Sequence, residues 1–208
     1  MEKPEVNHLT TYDALYAANM LRVAAEAATE AEWRDYARYC SLRAEGQRQD
    51  AFAAIKSFLT QAASWTTLEK RRFVVWVYGV SGDGDFMPFP LLKALAQPTL
   101  QEWHESSPED PQPLVLMGDV ESRWKAWRLA PADPSVAFAF VERATGHLEM
   151  SAHELPEYWV GDPEYDRTLL ADAQLAVTAC CPGEAVERYS SRLRSIRREL
   201  TKWSEESA

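Results

Sequence analysis

Between Pro98 and Pro163 the chain repeats one short phrase, a helix stop followed directly by a helix start. It is spelled Trp103-His-Glu-Ser-Ser-Pro108-Glu-Asp110-Pro111, then Trp127-Arg-Leu-Ala-Pro131-Ala-Asp133-Pro134, and it is shortened to Gly161-Asp162-Pro163. Pro108 and Pro131 cannot continue a helix, because the ring clashes with the preceding turn and the amide proton is missing. In each Asp-Pro pair the carboxylate is placed to cap exposed amides, and proline takes the first helical position, where its missing donor costs nothing. Helices cut at such intervals pack as antiparallel neighbours. The expected fold is therefore all-α, an irregular stack of helical hairpins with roughly eight to ten helices.

The remainder of the chain carries the same punctuation. Residues 1–9 read as a loose tail. Capping-box spacing, Ser or Thr followed three residues later by an acid, occurs at Thr10, Thr29, Thr66, Thr99 and Ser151 and predicts five helix starts. Tyr12, Tyr16, Met20, Val23 and Ala27 step by three or four, as one helix face does. Trp33, Ala37, Cys40 and Ala44 form a second stripe, resumed by Phe52, Ile55, Leu59 and Ala62. Gly46 stands between them, so residues 30–64 read equally as one long helix or two. Phe73-Val-Val-Trp-Val-Tyr78 has strand composition, yet no second strand exists to satisfy its backbone, so it reads as a buried helix. Gly79–Asp85 ends that element and Pro90 restarts a helix that Pro98 stops or kinks. One domain spans 1–208, with the 79–90 loop as its only sub-boundary.

Tyr165, Leu169, Ala173, Ala176 and Cys180 line one face of a helix that Pro182-Gly183 ends. The last helix has the most regular pattern: Val186, Tyr189, Leu193, Ile196, Leu200 and Trp203 alternate steps of three and four. Arg188, Arg192, Arg194, Arg197, Arg198 and Lys202 cover much of its remaining surface.

Lys125-Ala-Trp-Arg-Leu-Ala-Pro-Ala-Asp-Pro134 resembles the end of one tetratricopeptide repeat and the start of the next, with Gly118 and Ala126 at small packing positions and Pro131 at the terminal proline. The resemblance covers about residues 99–145, and Gly118 stands roughly ten residues too close to Pro131 for a repeat of about 34. It implies stacked helical hairpins and, by fold analogy, a protein-binding surface.

The formal net charge is −10, which repels phosphate and excludes nucleic acid as the expected ligand. No run of eighteen apolar residues exists, so no membrane span is expected. Met-Glu-Lys-Pro-Glu at the start has no apolar run, so no signal peptide is expected. Cys40, Cys180 and Cys181 are odd in number and lack Cys-x-x-Cys spacing, which suits a reducing compartment and a cytoplasmic location. No cofactor motif occurs. Ser81-Gly-Asp-Gly-Asp85 lacks the further ligands of a calcium loop and the Lys-Ser or Lys-Thr of a phosphate loop, and reads as a surface loop.

Two groups of residues invite chemistry. His147, Glu149, His153 and Glu154 are metal-ligand types, and on one continuous helix Glu149 and His153 would share a face. Gly146 and the cap at Ser151 are expected to break that helix. The second group is electrostatic. Between Ala94 and Ser122 there is no Lys or Arg, and between Ala144 and Glu187 only Arg167, while acids are frequent in both stretches. Trp103, Tyr158, Trp159 and Tyr165 are interleaved with them, residue types enriched at interfaces. Three functions follow as expectations. The first is a non-enzymatic interaction protein that meets a basic partner through Glu102, Glu105, Glu154, Glu157, Tyr158, Trp159, Asp162 and Tyr165, as an immunity-type inhibitor would. The second is a metal-dependent enzyme using the His147–Glu154 cluster. The third is a structural domain that dimerises through the C-terminal helix.

Overall fold

All three Asp-Pro signals open helices in the structure, a computed structural model that describes residues 8–80, 84–152, 161–180 and 183–206, with backbone alone for 8–12, 179–180 and 206. The helices are α1 (His8–Ala27), α2 (Arg34–Ala44), α3 (Arg48–Ala62), α4 (Thr67–Gly79), α5 (Phe89–Leu91), α6 (Gln97–Ser106), α7 (Gln112–Met117), α8 (Val120–Leu129), α9 (Pro134–Ala152), α10 (Pro163–Cys180) and α11 (Glu184–Glu206). A single 3-10 turn, Ala31–Trp33, leads into α2, and a π-helical turn, Leu92–Ala96, joins α5 to α6. Counting α5 through α6 as one helix gives ten, and no strand occurs among the described residues. The fold is all-α, as expected.

Asp110 Oδ1 accepts from the Gln112 amide at 2.9 Å, Asp133 Oδ1 from Ser135 at 2.8 Å, and Asp162 Oδ1 from Glu164 at 2.9 Å. Each carboxylate satisfies amides that have no partner inside the helix. Thr66 forms the full capping box: its hydroxyl accepts from the Glu69 amide and the Glu69 carboxylate accepts from the Thr66 amide. Phe73–Tyr78 lies within α4, as a helix.

The other four capping boxes do not form as expected. α1 spans His8–Ala27, so residues 8–9 of the expected tail and Thr10 lie inside the helix, and residues 1–7 lie outside the described residues. Thr29 donates its hydroxyl to the Glu26 carbonyl at 2.7 Å, closing α1 instead of opening α2. Thr99 is buried inside α6, because the π turn absorbs Pro98. The proline ring and its missing amide disturb only the preceding turn, which widens, and the helix continues. Ser151 lies inside α9 and donates to the His147 carbonyl at 3.3 Å, so neither it nor Gly146 interrupts that helix. Residues 30–64 resolve as two helices, parted at Gly46, whose φ of +77° only glycine adopts without strain.

The backbone divides into two compact units, 1–102 and 103–208, the division falling within α6; the 79–90 segment belongs to the first. The first unit is organised around aromatic rings. Tyr36, Phe58, Phe73 and Trp65 are buried, and Tyr36 meets Phe73 edge-on at 5.2 Å. Tyr36 donates to the Phe86 carbonyl and Tyr39 to the Asp85 carbonyl, both at 2.7 Å, which holds the segment after α4 against this core. On the α3 stripe Ile55 and Ala62 are buried and Leu59 packs against the core as expected, whereas Phe52 is 46% exposed and Ala51 and Phe58 join the core face.

In the second unit, Leu169, Ala173 and Ala176 of α10 pack with Phe140, Ala144 and Leu148 of α9 and with Tyr189, Leu193, Ile196 and Leu200 of α11. The α11 stripe is buried as its spacing predicts, with Val186 and Trp203 partly buried at its ends. Trp103 is buried too, and its indole donates to Asp110 at 2.9 Å, so it is a core residue, not an interface anchor.

Candidate functional site

The second unit gathers aromatic and acidic side chains where α8, α9 and α10 meet. Asp119 caps α8 by accepting from the Ser122 amide at 2.9 Å and its hydroxyl at 2.6 Å. Burial alone would raise its pKa, but those hydrogen bonds outweigh it and hold the carboxyl below its usual range. One turn on, Trp124 is buried and donates its indole N–H to Asp172 of α10 at 2.7 Å. Arg128 lies over the Trp124 ring at 4.1 Å and reaches the same carboxylate at 3.2 Å. Spacing of i and i+4 puts ring and guanidinium on one helix face, and that spacing was the available signal in the sequence.

Tyr165 stands in the first turn of α10, fixed there by the Asp162 cap, which accepts its amide at 3.3 Å. Its ring meets Trp124 edge-on at 5.5 Å and His147 at 5.9 Å. Its hydroxyl donates to Glu121 at 3.4 Å. Burial first, then the charges of Glu121, Asp166 and Asp119, push its phenol above the ordinary tyrosine value. It therefore stays protonated at neutral pH and keeps its hydrogen-bond donor.

His147 and Glu149 go to different partners. Nε2 of His147 lies 3.0 Å from Oδ1 of Asp166, whose side chain is wholly buried. Glu149 forms a two-pronged pair with Arg192 of α11, at 2.6 and 2.5 Å. Residues two apart on a helix point to different faces, so His147 and Glu149 do not converge, and His153 and Glu154 of the expected cluster lie outside the described residues. Among the described residues no three His, Cys, Asp or Glu side chains converge on a common point.

Of the residues expected to meet a partner, Tyr165 and Asp162 lie on this face. Glu105 is exposed in α6. Glu102 belongs to the first unit, where it accepts from Thr67 at 2.9 Å and helps to line a cavity of about 240 Å³ with Lys70, Leu95 and Pro98. Glu154, Glu157, Tyr158 and Trp159, with His153, lie outside the described residues, as do Ser81–Asp83 and Cys181. No helix among the described residues is long and apolar enough to cross a membrane. Compared with protein-family models, curated proteins and solved structures, the chain matches none.

Proposed function

We propose that this chain is a protein-interaction protein whose second unit presents the Glu121–Tyr165 face to a basic protein. The observation that carries the reading is the 3.4 Å hydrogen bond from the half-buried Tyr165 of α10 to Glu121 of α8, with the exposed Asp119 and the buried Asp166 on the same two helices. Acids placed around an aromatic residue attract a cationic surface, and the ring supplies apolar contact once the surfaces meet. Lys125 and His147 each pair with one of these acids, yet Glu121 and Asp119 remain exposed. The tetratricopeptide resemblance of residues 99–145 points the same way, by fold analogy. In its sharpest form the protein is an acidic inhibitor of a basic partner, as an immunity protein is.

The test is capture of basic proteins at low and high salt, followed by association kinetics on the retained protein. Glu121→Lys with Glu164→Lys slows association and flattens its salt dependence, because steering charges act on the on-rate. Tyr165→Ala speeds dissociation. Kinetics indifferent to both changes, or no protein held at low salt, overturns the reading.

A further inference from the structure

On the opposite charge balance, α10 and α11 enclose a cleft of about 200 Å³ lined by Gln174, Val177, Ser190, Leu193, Arg194 and Arg197. No carboxylate of a described residue lines it. Leu193 and Val177 are buried and form an apolar floor. Ser190, Arg194 and Arg197 follow one another at i, i+4 and i+7, which places all three along one side of α11. Gln174 faces them from α10.

Several neighbouring cations are engaged elsewhere. Arg192 is held by Glu149, and Arg188 donates to the Tyr189 hydroxyl at 3.3 Å and lies over its ring at 4.8 Å. Across the same unit Arg123 pairs with Glu142, Arg128 with Asp172, and Arg167 donates to Ser204. Arg194 and Arg197, like the exposed Arg143 and Arg198, make no side-chain hydrogen bond or ion pair to a described residue, and of these four they are the two that line the cleft. In a chain of net charge −10, two adjacent guanidinium groups without a carboxylate partner among the described residues are a local inversion of sign.

We infer that the α10–α11 cleft is an oxoanion-binding site, taking a phosphate or carboxylate head group on a small molecule. Guanidinium groups present paired N–H donors that match two oxygens of such an anion. The Ser190 hydroxyl and the Gln174 carboxamide add neutral donors from either wall. The floor of Leu193 and Val177 receives the carbon to which the anion is attached. The cleft of about 200 Å³ admits one small group and not an extended strand, and the chain's net charge of −10 disfavours a polyanion. The site is independent of the Tyr165 face and stands or falls separately.

The test is titration of the full chain with inorganic phosphate and, separately, acetate. Sodium chloride holds ionic strength constant, and amide and side-chain nitrogen–proton NMR signals are followed. Saturable shifts centred on the Gln174 carboxamide and on Ser190, Arg194 and Arg197 are expected, and the anion that saturates at the lower concentration identifies the head group. Arg194→Gln and Arg197→Gln each weaken binding by about tenfold, as loss of a charge-assisted hydrogen bond does. Gln174→Ala, on the other helix, weakens it less, and Arg143→Gln leaves it unchanged. Shifts that grow linearly without saturating, that spread over all exposed arginines, or that persist in the Arg194→Gln/Arg197→Gln double variant overturn the assignment.

Discussion

His147 Nε2 lies 3.0 Å from Oδ1 of Asp166, a carboxylate with no exposed surface, and so joins the middle of α9 to the first turn of α10. A buried carboxylate is costly to desolvate, and a hydrogen bond from a partly exposed imidazole offsets that cost. His147→Ala is expected to destabilise the chain by about 1–3 kcal/mol, the usual loss when a bond to a charged group is removed. His147→Gln, which keeps a donor at similar reach, recovers part of it. Urea denaturation of the parent chain and the two variants checks the ordering, and a His147→Ala midpoint equal to the parent's would show that the contact contributes nothing.

The α11 stripe gives a sharper contrast. Ile196 is 3% exposed and packs into the second core, whereas Arg198 is exposed. Ile196→Ala costs about 2–5 kcal/mol and Arg198→Ala less than about 0.5 kcal/mol, because only the first leaves a cavity. Thermal melting of both proteins measures it. An unchanged melting temperature in Ile196→Ala would contradict this packing.

Alkaline pH should weaken the first unit. Burial chiefly pushes the Cys40 thiol up to about 12; its hydrogen bond with Tyr36 opposes this and the charge of Asp85 adds to it. Burial also raises the Tyr36 and Tyr39 hydroxyls. In the unfolded chain a thiol ionises near pH 8.5 and a phenol near about 10. The folded-state values are the higher ones, so this stability is fully present below about pH 8.5 and is lost as pH rises toward 12. Each group steepens the fall by up to about 1.4 kcal/mol per pH unit. Cys40→Ala should delay its onset toward the range where tyrosine ionises, as read by urea titrations from pH 8 to 11.

Two glycines should respond in opposite directions. Gly118 ends α7 with φ of +79°, one residue before the Asp119 cap of α8. A Cβ there meets its nearest heavy atom at 3.6 Å, an ordinary contact, so the cost of Gly118→Ala is backbone strain, about 1–2 kcal/mol. Gly146 lies inside α9, with open space where its Cβ would be. Gly146→Ala is expected to stabilise by about 0.5–1 kcal/mol through helix propensity. Calorimetric melting temperatures that move the same way in both variants would count against these backbone assignments.

What the sequence determined by itself is what depends on a few adjacent residues. The Asp-Pro starts at 110, 133 and 162, the box at Thr66 and the stripe of α11 act within one or two turns, so their outcome is readable without the fold. The remaining capping boxes failed for a physical reason that is not local. A Ser or Thr hydroxyl can turn back to a carbonyl of its own helix as readily as forward to an amide, and packing of the longer helix decides which. Thr29 and Ser151 turned back, Thr99 was absorbed beyond a π turn, and α9 ran through Gly146 because its Phe140, Ala144 and Leu148 face is buried along that length. Charge and aromatic content were legible, but partners were not. Trp103 and Trp124 carry the same residue type in similar surroundings, and only the tertiary structure buries both and sends their indoles to Asp110 and Asp172. Glu149 and Arg192 are 43 positions apart, as far as any periodicity can see unrelated, and they meet because α9 and α11 pack side by side. The same packing leaves Arg194 and Arg197, on another side of the same helix, facing the cleft with α10.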